Sequence, residues 1–137
     1  IIRQTYEDGS RVCWALNPNY GNRDPSFAYI AARGGDHPTS MMRFDATRPA
    51  RANETVTLMV GNEQVTLIHG SEDVGNAFRP MTNLDARKIT RLLEARQDQS
   101  PKTFFVVDGH GGKFKYDARS TTKMISYLER NCGYQRQ

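Results

Sequence analysis

The residues in this chain most able to do chemistry are Asp108-Gly109-His110. A carboxylate and an imidazole two positions apart could share a proton or hold a metal ion between them. The glycines around them, Gly109, Gly111 and Gly112, would let a ligand approach the backbone closely. An enzyme built on Asp108, His110 and another carboxylate is one reading of the segment. The plainer reading is a flexible turn whose polar residues face water. It is the expected one, because His37 and His69 lie far off in sequence and complete no recognisable ligand set. No catalytic residue, metal or cofactor is therefore expected. Gly109-His110-Gly111-Gly112 is not a phosphate loop either: it lacks the following Lys-Ser/Thr and opens no helix.

The cysteines come next. Cys13 and Cys132 are the only two, one near each end. As a nucleophile Cys13 would need a histidine beside it. It sits in mid-strand next to Trp14, and an apolar setting raises a thiol pKa and blunts its reactivity. Joined to Cys132, it would close a loop of more than 100 residues. In the chain-entropy account such a bridge is worth about 4.7 kcal/mol. Unpaired, the two would be buried thiols of a cytosolic protein. The count leaves both readings open.

Contact chemistry could come from aromatic and basic residues. Core filling explains Phe104 and Phe105 best. Tyr20 and Phe78 lie in polar stretches and are better placed to touch a partner. Arg87, Lys88, Arg91 and Arg96 recur on one side of an expected helix and could meet an acidic partner or phospholipid headgroups. More often such a face is simply solvated.

These residues must be positioned by a chain of 137 residues, a single-domain length, so 1–137 is read as one domain. At that size roughly two-thirds of the unfolded surface can be buried, and neither a metal nor a dense disulfide framework is needed. A hydrophobic share of 37% and a mean hydropathy of -0.70 imply a modest core under a polar surface. The net charge is +4, but the nineteen basic residues are interleaved with fifteen acidic ones. A nucleic-acid binder concentrates its cations on one face, so no nucleic acid is expected. No apolar window is long enough for a transmembrane segment. The chain starts at Ile1-Ile2 without a signal peptide, as a mature or trimmed form would.

Alternation and turn chemistry divide the chain. Residues 1–9 read as a first strand or a loose terminus, 11–16 as a strand, 17–25 as a loop rich in turn formers, and 27–33 as a strand. A short strand at 40–44 follows the break at 34–38. Residues 54–60 alternate cleanly, with Val56, Leu58 and Val60 on one side. The turn at Gly61-Asn62 leads to a partner strand carrying Val65, Leu67 and His69. Residues 70–81 are a polar excursion with a short strand at 77–81. Asn83 reads as the N-cap of a helix over 84–96 whose apolar stripe is Ala86, Ile89, Leu92 and Leu93. A second hairpin joins 103–107 to 113–117, with Phe114 and Tyr116 on one face. Ser120 or Thr121 is expected to cap a last helix through Asn131, with Met124, Ile125 and Leu128 inward and Gly133 as its stop. Meandering strands with two helices predict an α+β class: a β-rich antiparallel, sandwich-like domain with one helix at the C-terminus.

Val12-Cys13-Trp14-Ala15-Leu16, the run 54–60 followed by Val65-Thr66-Leu67-Ile68, the strand pair within 103–116, and an amphipathic helix ending in Cys132 together resemble the bacterial invasion-associated locus B family. The resemblance spans about 11–132 and is one of layout and spacing. It implies a sandwich-like exported domain of Gram-negative bacteria, with Cys13 and Cys132 as its bridge. It also implies a periplasmic, cell-surface or secreted location reached after removal of a signal peptide, and a link to host-cell invasion or virulence. The family lends no catalytic residues. The loop at 17–24 and the polar loop at 71–76 depart from its usual pattern.

The expected function is non-enzymatic binding of a protein or envelope component. The contacts are assigned to 17–24 and 71–78, with Tyr20, Asp73, Phe78, Asp108 and His110 as contact residues. The alternative is a periplasmic inhibitor or immunity protein that places Asp73 or Asp108 in the cleft of a hydrolase or toxin.

Overall fold

In the computed structural model the described residues are 3–5, 11–16, 27–33, 38–44, 50–70, 77–132 and 134. They form β1 (Arg3–Thr5), β2 (Arg11–Leu16), β3 (Phe27–Arg33), β4 (Pro38–Phe44), β5 (Thr55–Val60), β6 (Glu63–Ile68), β7 (Ala77–Pro80), α1 (Asn83–Gln97), β8 (Thr103–Asp108), β9 (Lys113–Asp117) and α2 (Thr121–Cys132). The fold is α+β and β-rich, and one of its two helices is C-terminal, as the patterning predicts.

The strands are antiparallel neighbours in the order β1-β2-β3-β4-β7-β6-β5-β8-β9. The sheet is curled, and β7 is its corner. Phe78 and Ala77 pair with Met42 and Arg43 of β4; Arg79 and Pro80 pair with Ile68 and Leu67 of β6. A strand that passes from one partner to another bends the sheet and lets its halves face each other. Aromatic rings meet across the fold: Phe27 of β3 lies 5.2 Å from Phe104 of β8, and Phe44 of β4 lies 5.3 Å from Tyr116 of β9.

Period-two alternation fills the space between. Val56, Leu58, Val60, Val65, Leu67, Phe104, Val106 and Tyr116 are all buried. Phe105, expected in the core with Phe104, points the other way, because successive strand residues face opposite sides. It is half-buried, with the Lys113 Nζ 4.6 Å above its ring. Gly61 takes φ +59° at the first central position of the β5–β6 turn, the place a II′ hairpin reserves for glycine.

The helix caps differ from expectation. Thr82, not Asn83, caps α1: its hydroxyl accepts from the Asp85 N–H at 3.1 Å, and Asn83 is already helical. Ser120 cannot cap α2 in the usual way, since an N-cap needs extended backbone and Ser120 has φ +68°. The Thr121 hydroxyl donates back to the Ala118 carbonyl at 2.6 Å. The Thr122 N–H is met instead from the other helix, by Gln97 Oε1 at 2.9 Å, and the Thr122 hydroxyl donates to Glu94 at 2.6 Å. β4 begins at Pro38, two residues ahead of the expected start, and Gly133 lies outside the described residues. Met124, Ile125 and Leu128 are buried as expected, and α2 packs on β2 and β3. No described helix is long and apolar enough to cross a membrane.

Candidate functional site

The Asp108–His110 turn stands at one end of the half-sheet made by β5, β6, β8 and β9. Register brings other polar residues to that end. Val56 pairs with Asp108 and Thr55 with Ile68, so Glu54 and His69, just beyond those strands, arrive beside the turn. Backbone bonds fix them: the His69 N–H donates to the Glu54 carbonyl at 2.9 Å, and the Asn53 N–H to the His69 carbonyl at 2.8 Å.

Each group is already engaged. Asp108 Oδ1 accepts from the backbone N–H of His110 at 2.9 Å and of Gly112 at 2.7 Å. The Asp108 N–H donates to the Gly112 carbonyl at 3.0 Å. The carboxylate thus closes its own loop, as turn aspartates do, and the loop is braced where a flexible turn was expected. The imidazole of His110 points elsewhere, with Nε2 3.5 Å from Glu54 Oε2 and both side chains partly open to water. Such a pair contributes about 0–1 kcal/mol. The arrangement therefore brings a carboxylate to His110, but it is Glu54 and not Asp108. Among the described residues no group of three or more His, Cys, Asp and Glu is placed to hold a metal ion.

His69 is the polar residue that spacing alone left without a role. It is buried, and its Nδ1 lies 2.7 Å from the Ala77 carbonyl. A carbonyl only accepts, so the proton sits on Nδ1. The ring also meets Phe78 edge-on at 5.8 Å. His69 therefore pins the start of the corner strand. The alternation Val65, Leu67, His69 already put it on the inward face; nothing local pointed to Ala77.

The expected contact residues fare unequally. Phe78 is not in a contact loop. It is 2% exposed on β7, packed against Phe44 and His69, because the corner of the curled sheet needs a large apolar side chain there. Tyr20 and Asp73 lie outside the described residues, as do the loops 17–24 and 71–76. Asp108 and His110 are at the surface, held as above.

Of the four basic residues expected on one side of α1, three have a partner in the protein, and Arg96 lies half a turn away from Arg87, over the β5–β6 turn. Lys88 Nζ donates to the Gln64 carbonyl at 3.2 Å, Arg91 stands 3.7 Å from Glu63, and Arg96 Nη1 donates to the Pro101 carbonyl at 3.2 Å. Beyond β9, a hydrogen bond from Arg119 to Asp117, followed by their charge attraction, raises the guanidinium pKa above its ordinary value.

Cys132, the last residue of α2, is disulfide-bonded. The chain has one other cysteine, Cys13, placed by register opposite Ala31 of β3; its side chain lies outside the description. No family model, no curated protein and no solved structure matches this chain.

Proposed function

We propose that this chain is a non-enzymatic exported domain of the invasion-associated locus B type that binds a protein or envelope component in the periplasm or at the cell surface. The observation that carries the reading is the disulfide at Cys132. Disulfides persist in oxidising compartments and are rare in the cytosol. Pairing with Cys13 would staple α2 to β2, against which it packs. The engagement of Asp108 with its own loop favours a binding role over catalysis at that turn.

Three measurements test this. Intact mass before and after alkylation, on protein taken from its native compartment, should show no free thiol. Two alkylated cysteines would end the export argument. Affinity capture with the oxidised protein from envelope and host-cell extracts should yield a saturable partner, and a captured hydrolase or toxin would turn the reading toward inhibition. Turnover of any substrate that is lost in His110→Ala would contradict the non-enzymatic reading.

A further inference from the structure

Among the described residues two large apolar side chains stand exposed, Met81 at 51% and Leu84 at 71%. They flank the Thr82 cap, one just before α1 and one in its first turn. From Leu84 a stripe runs along the helix at the spacing that shares a face: Leu84, Arg87, Lys88 and Arg91. It lies opposite the stripe that α1 buries, Ala86, Ile89 and Leu93. An exposed apolar tip thus continues into a row of cations.

We propose that this end of α1 is a docking surface for a bilayer containing anionic phospholipid, with Met81 and Leu84 entering the interface and Arg87, Lys88 and Arg91 meeting the headgroups. The inference deepens the envelope-binding reading and rests on it. Apolar residues beside Lys and Arg are the composition of helices that lie at a membrane surface. Side chains this exposed stand out from the surface. A bilayer can take in protruding side chains singly, whereas a protein would have to offer a pocket for each.

The acidic groups beside the stripe are Asp85, Glu63 and, a turn further on, Glu94, which is half-buried and accepts from the Thr122 hydroxyl at 2.6 Å; Asp98 follows at the helix end. Arg91 is 65% exposed and Glu63 46%, so their 3.7 Å pair is solvated and open to exchange. Lys88 holds Gln64 through a backbone carbonyl and keeps its charge. The chain's net +4 adds to the attraction.

The test is sedimentation of the whole oxidised protein with vesicles of phosphatidylcholine alone, or of phosphatidylcholine mixed with phosphatidylglycerol. Binding is expected to the mixed vesicles only, weakening as salt rises. Arg87→Gln with Arg91→Gln should lower the partition coefficient about 25-fold, at about fivefold per cation. Met81→Ser with Leu84→Ser should also lower it, while circular dichroism and thermal melting stay unchanged because all four side chains are exposed. Equal binding to both vesicle types, no binding to either, or an undiminished Ser variant would overturn the proposal. So would poly-glutamate binding that matches the vesicles and ignores the Ser changes, which would assign the stripe to an acidic protein. A protein partner captured from extracts alongside vesicle failure would leave the binding reading standing without this surface.

Discussion

The two hairpins of the second half-sheet turn at opposite ends and by different means. At Gly61-Asn62 the turn is two residues long, and a single glycine at φ +59° does the work. At 108–112 the loop is longer; glycine supplies φ +82° at Gly111, and Asp108 ties the loop shut through its carboxylate. The first turn sits under α1, where a side chain on Gly61 would come within 2.9 Å of Arg96 Nη2. The second stands at the other end, and among the described residues nothing lies within 4 Å of a Cβ added at Gly109 or Gly111. A tight turn needs only backbone freedom. A wide exposed one needs an internal acceptor, and a carboxylate placed there looks like a reactive group while serving as a brace.

The largest effect is expected at Gly112. An added Cβ would lie 2.7 Å from Asp108 Oδ2 and 2.8 Å from the Phe114 ring, so the brace and an inward aromatic must both yield. Gly112→Ala should cost about 2 kcal/mol, read as a lower urea midpoint under oxidising conditions. An unchanged midpoint would mean that the loop adjusts freely and the contrast between the hairpins is lost.

Asp108 comes next. Removing an acceptor shared by two backbone donors should cost about 1.5 kcal/mol in Asp108→Ala, as loss of a helix cap does. Asp108→Asn keeps an oxygen at the same place and should recover most of that. If Asn is as harmful as Ala, the negative charge matters, and the turn is more than a brace. Gly61→Ala should cost about 1 kcal/mol from the strained backbone at positive φ, with Arg96 swinging aside. A Gly61 penalty above that of Gly112 would reverse the comparison.

What could be read from sequence follows the same division between local and distant causes. Val56, Leu58, Val60, Val65 and Leu67 declare their buried face because strand alternation is local. Both hairpins and both helices are visible for that reason. Phe78 was not legible as core: its polar neighbours suggest a loop, and only the corner made by β4 and β6 buries it. The trans-cap of α2 by Gln97 is equally hidden, since the donor and its acceptor are 25 positions apart. Glu54 reaches His110 only because β5 pairs with β6 on one side and β8 on the other. Asp-Gly-His spacing suggested that the aspartate and histidine act together, yet the wide loop spends the carboxylate on its own amides and sends the imidazole outward.

The smallest effect is expected at His110, and it is the sharpest test of what this turn is. The bonded group of His110 within the loop is its backbone N–H, donated to Asp108 at 2.9 Å, and alanine keeps that group. What His110→Ala removes is a 3.5 Å pair with Glu54 between solvated side chains. The loss in stability should stay within about 0.5 kcal/mol by urea unfolding. His110→Pro deletes the N–H and should cost more than alanine, because one of the two donors to Asp108 disappears. A double-mutant cycle with Glu54→Gln isolates the side-chain pair from everything else. A coupling well above 1 kcal/mol would show the imidazole and carboxylate acting as a unit, which is the arrangement that proton-sharing chemistry at this end of the sheet would require.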